Sequence, residues 1–225
     1  MPDRDSIPVA AHNLAAALSE LPLFPLPEVV LFPRAQLPLH VFEPRYRAML
    51  RDALATHGAI GVVQLAEGSQ PSDDRPRIAP VAGAGLVIEH SPLPDGRSNI
   101  VLLGMARVRL DELAYEAPYR RARATILEDE DAIVEDADIT ALIQVATSFA
   151  TEVKKRDPRF SFRLPASIAP GTLADLCAYH LVISGHERQT ILEELDPERR
   201  VRLVLDAIST QRLELGAGDG PASVN

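Results

Sequence analysis

Cysteine is almost absent from the sequence, since Cys177 is the only one in 225 residues. A single cysteine excludes an internal disulfide and a CxxC pair for zinc. So little cysteine fits a reducing compartment, and residues 1–11 carry early acids and lack the continuous apolar core of a signal peptide. We therefore expect a cytoplasmic protein.

Aromatic residues and long apolar runs are also scarce. Tryptophan is missing and aromatic residues make up 4% of the chain, although hydrophobic residues make up 46%. The core must therefore consist mainly of Leu, Val, Ile and Ala. No run approaches the roughly 18–20 apolar residues that cross a membrane as a helix, so we expect no membrane partner.

The motifs of several enzyme classes are missing as well. No GxxxxGKS or GxxxxGKT loop is present, which excludes ATP hydrolysis by a P-loop. The only lysines, Lys154 and Lys155, are adjacent near the end of a predicted helix, where we expect them to be solvated rather than to activate a serine. His186 has no second histidine at zincin spacing, because Thr190 occupies that position. We expect no catalytic residue, no metal and no cofactor.

The charge balance disfavours nucleic acid. Lysine and arginine total 23 against 32 acids, a formal net charge of −9. A chain of this charge repels phosphate backbones, so we expect no nucleic-acid partner. One dense basic run remains: Arg107, Arg109, Arg120, Arg121 and Arg123.

Short apolar runs broken by proline and glycine fill the chain before residue 130, a pattern typical of strands and turns. Proline lacks a backbone donor, so segment 21–39 predicts short or bent strands, with residues 29–32 as the best strand core. The Asp95-Gly96 pair predicts a hairpin turn. Further strands are predicted at 59–65, 85–90, 99–103, 108–110 and 122–127.

One amphipathic helix interrupts this half. Apolar residues recur at helical spacing between Tyr46 and Leu54, Pro44 suits the first helical position, and Gly58 can end the helix. One helix among five or six short strands predicts a small closed or half-open barrel plugged by that helix.

The period of the apolar residues becomes helical after residue 135. One helix is predicted at 139–153 with Asp138 as its cap, and a second from Thr172, with Asp175 in a capping-box position and an end at Ser184-Gly185. Two more are predicted at 186–195 and from 196 onward. The predicted organisation is an N-terminal extension at 1–19, a β subdomain at 20–130 with a mobile loop at 67–80, a helical subdomain at 131–213 and a disordered tail at 214–225.

Two long segments carry a resemblance to a known family. The first is LFPLPEVVLFP at 23–33 followed by LPLHVFEPRY at 37–46, and the second is LPDGR at 93–97 followed by NIVLLG at 99–104 and Arg107. Weaker matches follow in the expected order at 174–175, 188–189, 191–193 and 198–199. Together, from about residue 20 to 212, these segments resemble the N-terminal substrate-recognition domain of Lon proteases.

The resemblance implies an α+β fold, in which an N-terminal PUA-like β pseudo-barrel with one helix is followed by a C-terminal helical bundle. In full-length Lon this region recognises polypeptide substrates and helps to assemble the oligomer, ahead of an ATPase module and a Ser–Lys peptidase. For this chain it implies a module that binds unfolded or damaged polypeptides without catalysis of its own. An ATPase or protease partner and a homo-oligomer are further expectations.

Two groups of site residues follow from the resemblance. We expect the substrate to contact apolar side chains of the opening signature: Leu31, Phe32, Leu39, Phe42 and Tyr46. We expect a structural role for other matched residues: Glu43, Pro44, Arg45, Asp95, Gly96 and Arg107. A carboxylate at a helix entry is favoured by the helix dipole, by about 0.3–1 kcal/mol if exposed, which supports an architectural role for Glu43.

Alternatives from other classes stay open. One is peptidase-associated hydrolysis, because the tail at 219–223 superficially resembles the segment around the Lon nucleophile, although Ala222 stands where the serine should follow proline. Loss of casein cleavage in Ser223→Ala would support it. Another is RNA binding through the PUA-like barrel, and a small-molecule pocket has no positive signal in the sequence.

Overall fold

The computed structural model describes residues 6–66, 68–69, 76–165 and 167–218. The chain divides into two units, one ending at Glu128 and the other beginning at Asp129. The first unit contains α1 (Ser6–Ala17), β1 (Leu21–Leu26), β2 (Gln36–Val41), α2 (Pro44–Leu54), β3 (Ala59–Gln64), β4 (Val81–Pro92), β5 (Ser98–Glu112) and β6 (Arg120–Leu127). The second contains α3 (Asp136–Arg156), α4 (Pro170–Leu181), α5 (Gly185–Glu193) and α6 (Pro197–Gly218).

Five strands of the first unit close into a barrel. β1 pairs in parallel with β3, and antiparallel pairs join β3 to β4, β4 to β5, β5 to β6 and β6 back to β1. β5 is 15 residues long, so its first half can pair with β2 and its second half with β6. The β4–β5 pair has register shifts after Ala84 and Val87, and irregularities of this kind bend a sheet. The predicted pseudo-barrel is confirmed.

The predicted hairpin is also confirmed. β4 and β5 pair along most of their length and are joined by a turn in which Gly96 has a φ of 80°. The backbone N–H of Leu93 donates to the carbonyl of Arg97 at 2.8 Å across this turn. Glycine is favoured here because residues with a side chain rarely adopt a positive φ.

The apolar segment 29–32 is not a strand, and the sequence prediction was wrong here. Glu28 with a φ of 56° and Arg34 with a φ of 66° turn the chain on either side of it. Leu31 and Phe32 are fully buried. A short apolar run that is buried on all sides has the same composition as a central strand, so its pattern alone could not separate the two.

Residues 29–32, called the crossing segment below, pass over the sheet at two glycines. A methyl group added at Gly83 would overlap the carbonyl oxygen of Leu31, and one added at Gly104 would overlap that of Phe32. Just beyond the segment, the N–H of Arg34 donates to the carbonyl of Gly104 at 2.7 Å, which holds the chain at this point. The glycines of β4 and β5 therefore permit backbone to lie directly on backbone.

Helix α2 begins at Pro44, as predicted, but it ends at Leu54, four residues before the predicted end at Gly58, which has a φ of 69° in the turn that follows. Its apolar face contacts β1 and β3. Four residues of this face are buried: Tyr46, Met49, Leu50 and Ala53. Proline at the first helical position costs no hydrogen bond, because that N–H has no partner within a helix.

Helix α1 lies in the stretch that the sequence assigned to an N-terminal extension. Leu14 and Ala17 are buried in one apolar cluster with residues of β1, β3 and β4, so α1 adds to the core of the first unit. Residues 1–5 lie outside the described part of the chain, as do residues 67 and 70–75 of the predicted mobile loop. Within that loop Ile78 pairs with Leu65 in an isolated bridge.

The four helices of the second unit match the predicted set, but two predicted caps are wrong. α3 begins at Asp136, so Asp138 lies inside the first turn, where it accepts a hydrogen bond from Arg202 at 3.1 Å. α4 begins at Pro170, two residues before Thr172, so Asp175 is not a capping residue. Ser184 caps the start of α5 by accepting from the N–H of Glu187.

The last helix continues into the predicted tail. α6 extends to Gly218, so residues 214–218 are helical, and residues 219–225 lie outside the described part of the chain. Among the described helices, none is both long enough and apolar enough to cross a membrane.

Arg200 is the largest fully buried side chain among the described residues and connects three parts of the second unit. Its guanidinium group forms ion pairs with Asp129 and with Asp175, which is also buried. Its Nε donates to the carbonyl of Glu194 at 2.9 Å, and Nη1 lies 3.5 Å from the carbonyl of Gly171. One arginine of α6 thus joins α4, the end of α5 and the first residue of the unit.

Cys177 lies on the buried face of α4 and provides a test of that packing. Burial raises the pKa of its thiol to about 12. At a given pH, the fraction of Cys177 present as the reactive thiolate is therefore about a thousandfold lower than for an exposed cysteine. Burial also blocks the access of a reagent. We expect a thiol reagent at mildly alkaline pH to leave the native protein unmodified and to label it at once in guanidinium chloride. Immediate stoichiometric labelling of the native protein would contradict this packing.

Candidate functional site

A cleft of about 280 Å³ opens in the first unit beside the end of β1. Its wall is formed by the end of β1, the start of α2 and the loop that precedes β6. The residues that characterise it are Pro25, Pro27, Tyr46, Tyr115, Tyr119 and Arg120. Three of the four tyrosines of the chain line this surface, which we call the tyrosine cleft.

Tyr46 anchors the inner side of the tyrosine cleft. Its ring lies 4.3 Å from the ring of Phe24, and the guanidinium carbon of Arg45 lies 4.5 Å from the ring centroid. Arg45 also forms an ion pair of 2.9 Å with Glu43. Burial raises the pKa of Tyr46, so its hydroxyl group stays neutral and can donate or accept a hydrogen bond.

Tyr119 is held against α2 by a hydrogen bond. Its hydroxyl group donates to Asp52 at 3.0 Å. Burial, followed by this hydrogen bond and the charge of Asp52, raises the pKa of Tyr119. Tyr115 is 50% exposed at the mouth, so it is the tyrosine most accessible to a ligand.

The charged groups of the tyrosine cleft are paired within the protein. Arg120 binds both carboxylate oxygens of Glu112, at 2.8 and 2.7 Å, and donates to the carbonyl of Pro76 at 2.6 Å. Glu43 and Arg45 pair with each other. The surface left to a ligand is therefore aromatic and proline-rich, with hydroxyl groups as its polar atoms.

The other predicted contact residues lie elsewhere. Leu31 and Phe32 belong to the crossing segment and are fully buried, so neither can touch a ligand in this conformation. Leu39 is half-buried in a shallow groove along β2 and β5. Phe42 is 57% exposed beside the ring of His40, outside the tyrosine cleft. Tyr46 is the one member of the predicted set that lines the cleft.

The predicted structural residues fall into three places. Glu43 and Arg45 line the tyrosine cleft, and Pro44 opens α2 beside it. Asp95 and Gly96 form the hairpin turn between β4 and β5, where a hydrogen bond from the N–H of Arg97 lowers the pKa of the Asp95 carboxyl. The remaining residue of the set, on β5, is buried: Arg107.

Sequence reasoning missed Tyr115 and Tyr119 as residues that line one surface with Tyr46, and it missed Asp52 as the partner of Tyr119. Tyr115 and Tyr119 stand in an irregular segment between β5 and β6, where no periodicity marks an inward side. Their proximity to Tyr46 results from the closure of the barrel by the β1–β6 pair, which no local pattern shows.

Three of the five arginines in the basic run of the sequence are paired with carboxylates. Arg120 pairs with Glu112, Arg121 with Glu20 and Glu116, and Arg123 with Asp111. Among the residues that the structure describes, no group of three or more His, Cys, Asp or Glu side chains is placed to hold a metal ion.

Comparison with known proteins gives consistent matches over nearly the whole chain. Residues 20–210 match the model of the ATP-dependent protease La (LON) substrate-binding domain. The Lon protease of Anaeromyxobacter dehalogenans and Lon protease 2 of Myxococcus xanthus are each 31% identical over 196 residues, which is 85% of this chain and 23% and 24% of theirs. The chain thus spans about a quarter of the length of these curated relatives.

Solved structures show the same fold. The Lon N-terminal domain protein from Xanthomonas campestris superposes with a TM-score of 0.61 at 24% identity, over 83% of this chain and 97% of that one. The N-terminal domain of the Mycobacterium avium complex Lon protease also gives a TM-score of 0.61, at 16% identity, over 84% and 98%. With a family model that covers most of its residues, the chain belongs to the family of LON substrate-binding domains.

Proposed function

We propose that the chain is a polypeptide-recognition module that holds exposed aromatic or apolar side chains in the tyrosine cleft. The observation that carries this proposal is the set of three tyrosines and flanking prolines that surrounds one opening. Tyrosine supplies a large, rigid contact area with a hydroxyl group at its end, which suits varied polypeptide segments. The substrate-binding role in the name of the family supports the same proposal.

The size and charge of the tyrosine cleft favour a short stretch of chain over other ligands. Its volume of about 280 Å³ is just below the roughly 300–1,000 Å³ of typical small-molecule pockets. Its cationic side chains already have carboxylate partners, which leaves little to attract a phosphate backbone. We therefore expect affinity for unfolded polypeptides and no salt-sensitive retention of RNA.

The proposed module acts without catalysis of its own. A lysine that activates a serine needs a buried setting that favours its neutral form, and both Lys154 and Lys155 are exposed. The tail serine of the hydrolase alternative, Ser223, lies outside the described residues. A captured polypeptide would need a separate ATPase or protease to be degraded.

Titration of labelled, reduced and unfolded casein with the protein, followed by fluorescence anisotropy, tests the proposal. We expect saturable binding to casein and none to native carbonic anhydrase. Tyr115→Ala should raise the Kd by about tenfold, because it removes the exposed aromatic contact at the mouth of the cleft. The matched control is Phe42→Ala, which removes an aromatic side chain of similar exposure outside the cleft and should leave the Kd unchanged.

Two results would contradict the proposal. Binding that Phe42→Ala weakens and Tyr115→Ala leaves intact would place the polypeptide at the end of β2. Casein fragments on a gel of the same samples would show that the protein hydrolyses polypeptides and is not a non-catalytic module.

A further inference from the structure

A groove of about 430 Å³ lies in the second unit between the end of α3 and the chain that follows it. Lys154, Lys155 and Arg163 line it together with the rings of Phe160 and Phe162. In the described part of the chain, neither lysine has an acidic partner within ion-pair distance. The basic groove, as we call it, is thus an apolar slot surrounded by free positive charge on an acidic protein.

The chain carries the chemical complement of this groove just before α3. Glu130, Asp131, Glu135 and Asp136 are exposed. Between them Ile133 is 87% exposed, more than any other large hydrophobic side chain of the described residues. The acidic segment, residues 130–136, is therefore an apolar side chain surrounded by free negative charge.

The two surfaces cannot meet within one molecule. They lie at opposite ends of α3, whose 21 residues form a helix roughly 30 Å long. Acids at the start and bases at the end of a helix are individually favoured by its dipole. The dipole explains neither the exposure of Ile133 nor the aromatic side chains in the basic groove.

We propose that the second unit docks with a second copy of this chain through antiparallel α3 helices. The acidic segment of each copy fills the basic groove of the other, with Ile133 between Phe160 and Phe162. The contact forms twice about a two-fold axis, as an isologous interface requires. Ile143 lies near the middle of α3, is 40% exposed and falls on the helix face that carries Lys154, so the two copies of Ile143 meet near the axis.

Sedimentation velocity of the full chain over a range of concentrations tests the proposal. We expect a monomer–dimer equilibrium at low salt that shifts to monomer in about 1 M NaCl, where the screening length is about 3 Å. Lys154→Glu with Lys155→Glu should raise the dimer Kd by at least about a hundredfold, because like charges then face each other. Glu130→Lys with Asp131→Lys should do the same.

Mixing the two charge-reversed variants gives the decisive result. In the mixed pair both contacts again join opposite charges, so an equimolar mixture should regain the dimer that each variant alone has lost. Arg34→Glu with Arg109→Glu makes the same change of net charge at exposed positions of the first unit and should leave the dimer intact.

Ile133→Asp tests the apolar part of the contact while it keeps the acidic segment negatively charged. The side chain is too exposed to matter for folding, so the variant should remain folded and become monomeric. A wild-type monomer at every concentration and salt would overturn the proposal. A dimer that survives charge reversal or Ile133→Asp, or a mixture that stays monomeric, would overturn it equally.

Discussion

Alanine at position 104 is expected to prevent the first unit from folding stably. The added methyl group would overlap the carbonyl oxygen of Phe32 and lie 2.9 Å from its carbonyl carbon. Overpacking of a core typically costs about 1–3 kcal/mol. We expect a cost at or above the upper end of this range for Gly104→Ala, because the added methyl group meets backbone atoms, which cannot rotate away as a side chain can. The backbone cannot easily withdraw, since the N–H of Arg34 donates to the carbonyl of Gly104 and the N–H of Gly104 donates to the carbonyl of Ala35.

The measurement is the urea midpoint of unfolding, with Gly61→Ala as the matched control. At Gly61 the nearest atom to an added methyl group is Cδ2 of Leu21, 2.9 Å away, at the free end of a side chain that can rotate. Gly61→Ala should therefore cost much less, whereas Gly83→Ala should behave like Gly104→Ala. Equal midpoints for Gly104→Ala and the wild type would show that the crossing segment does not lie on the sheet.

Local signals predicted the elements whose causes are local. Asp95-Gly96 marked the hairpin turn and Pro44 marked the start of α2, because the backbone at these positions depends on the residues themselves. The crossing segment was misassigned because its position depends on glycines about 50 and 70 residues further along the chain. The composition of an apolar run predicts that the run is buried. It does not predict whether the run is buried as a paired strand or as a segment that crosses over a sheet.

The tyrosine cleft shows the same limit. Tyr46 was predicted as a contact residue through the family signature, and it lines the cleft. Tyr115 and Tyr119 were not predicted, since they join it only when the barrel closes between β1 and β6. An apolar signature also need not line a binding surface. Leu31 and Phe32 are buried in the core, whereas the later signature residues Glu43 and Arg45 line the cleft.

Asp175 is a second residue whose local sequence pattern was misleading, because a contact with a residue distant in sequence determines its role. Its spacing from Thr172 resembles a capping box, yet α4 starts at Pro170. The carboxylate is instead buried against Arg200, which lies 25 residues away. A buried carboxylate without a cation would cost far more than a helix cap contributes, so the ion pair determines where this side chain lies.

Arg200→Met is expected to lower the free energy of unfolding of the second unit by about 3–5 kcal/mol. The substitution keeps much of the apolar volume but leaves the buried carboxylate of Asp175 without its cation and the carbonyl of Glu194 without its donor. Urea unfolding followed by far-ultraviolet circular dichroism would measure the loss. Cys177, two residues from Asp175 on α4, gives an independent readout, because its labelling should speed up as the unit opens more often.

The matched control is Arg202→Met, the same substitution two residues later on α6. Arg202 forms two ion pairs, with Asp138 and Glu198, but its side chain is 56% exposed. Water and salt screen such pairs, so this variant should lose only a small fraction of what Arg200→Met loses. Replacing Asp175 by leucine together with Arg200→Met should recover part of the stability, since no buried charge is then left unpaired there. If Arg200→Met and Arg202→Met lowered the free energy of unfolding equally, burial of the Arg200 ion pairs would not determine how much they contribute to stability.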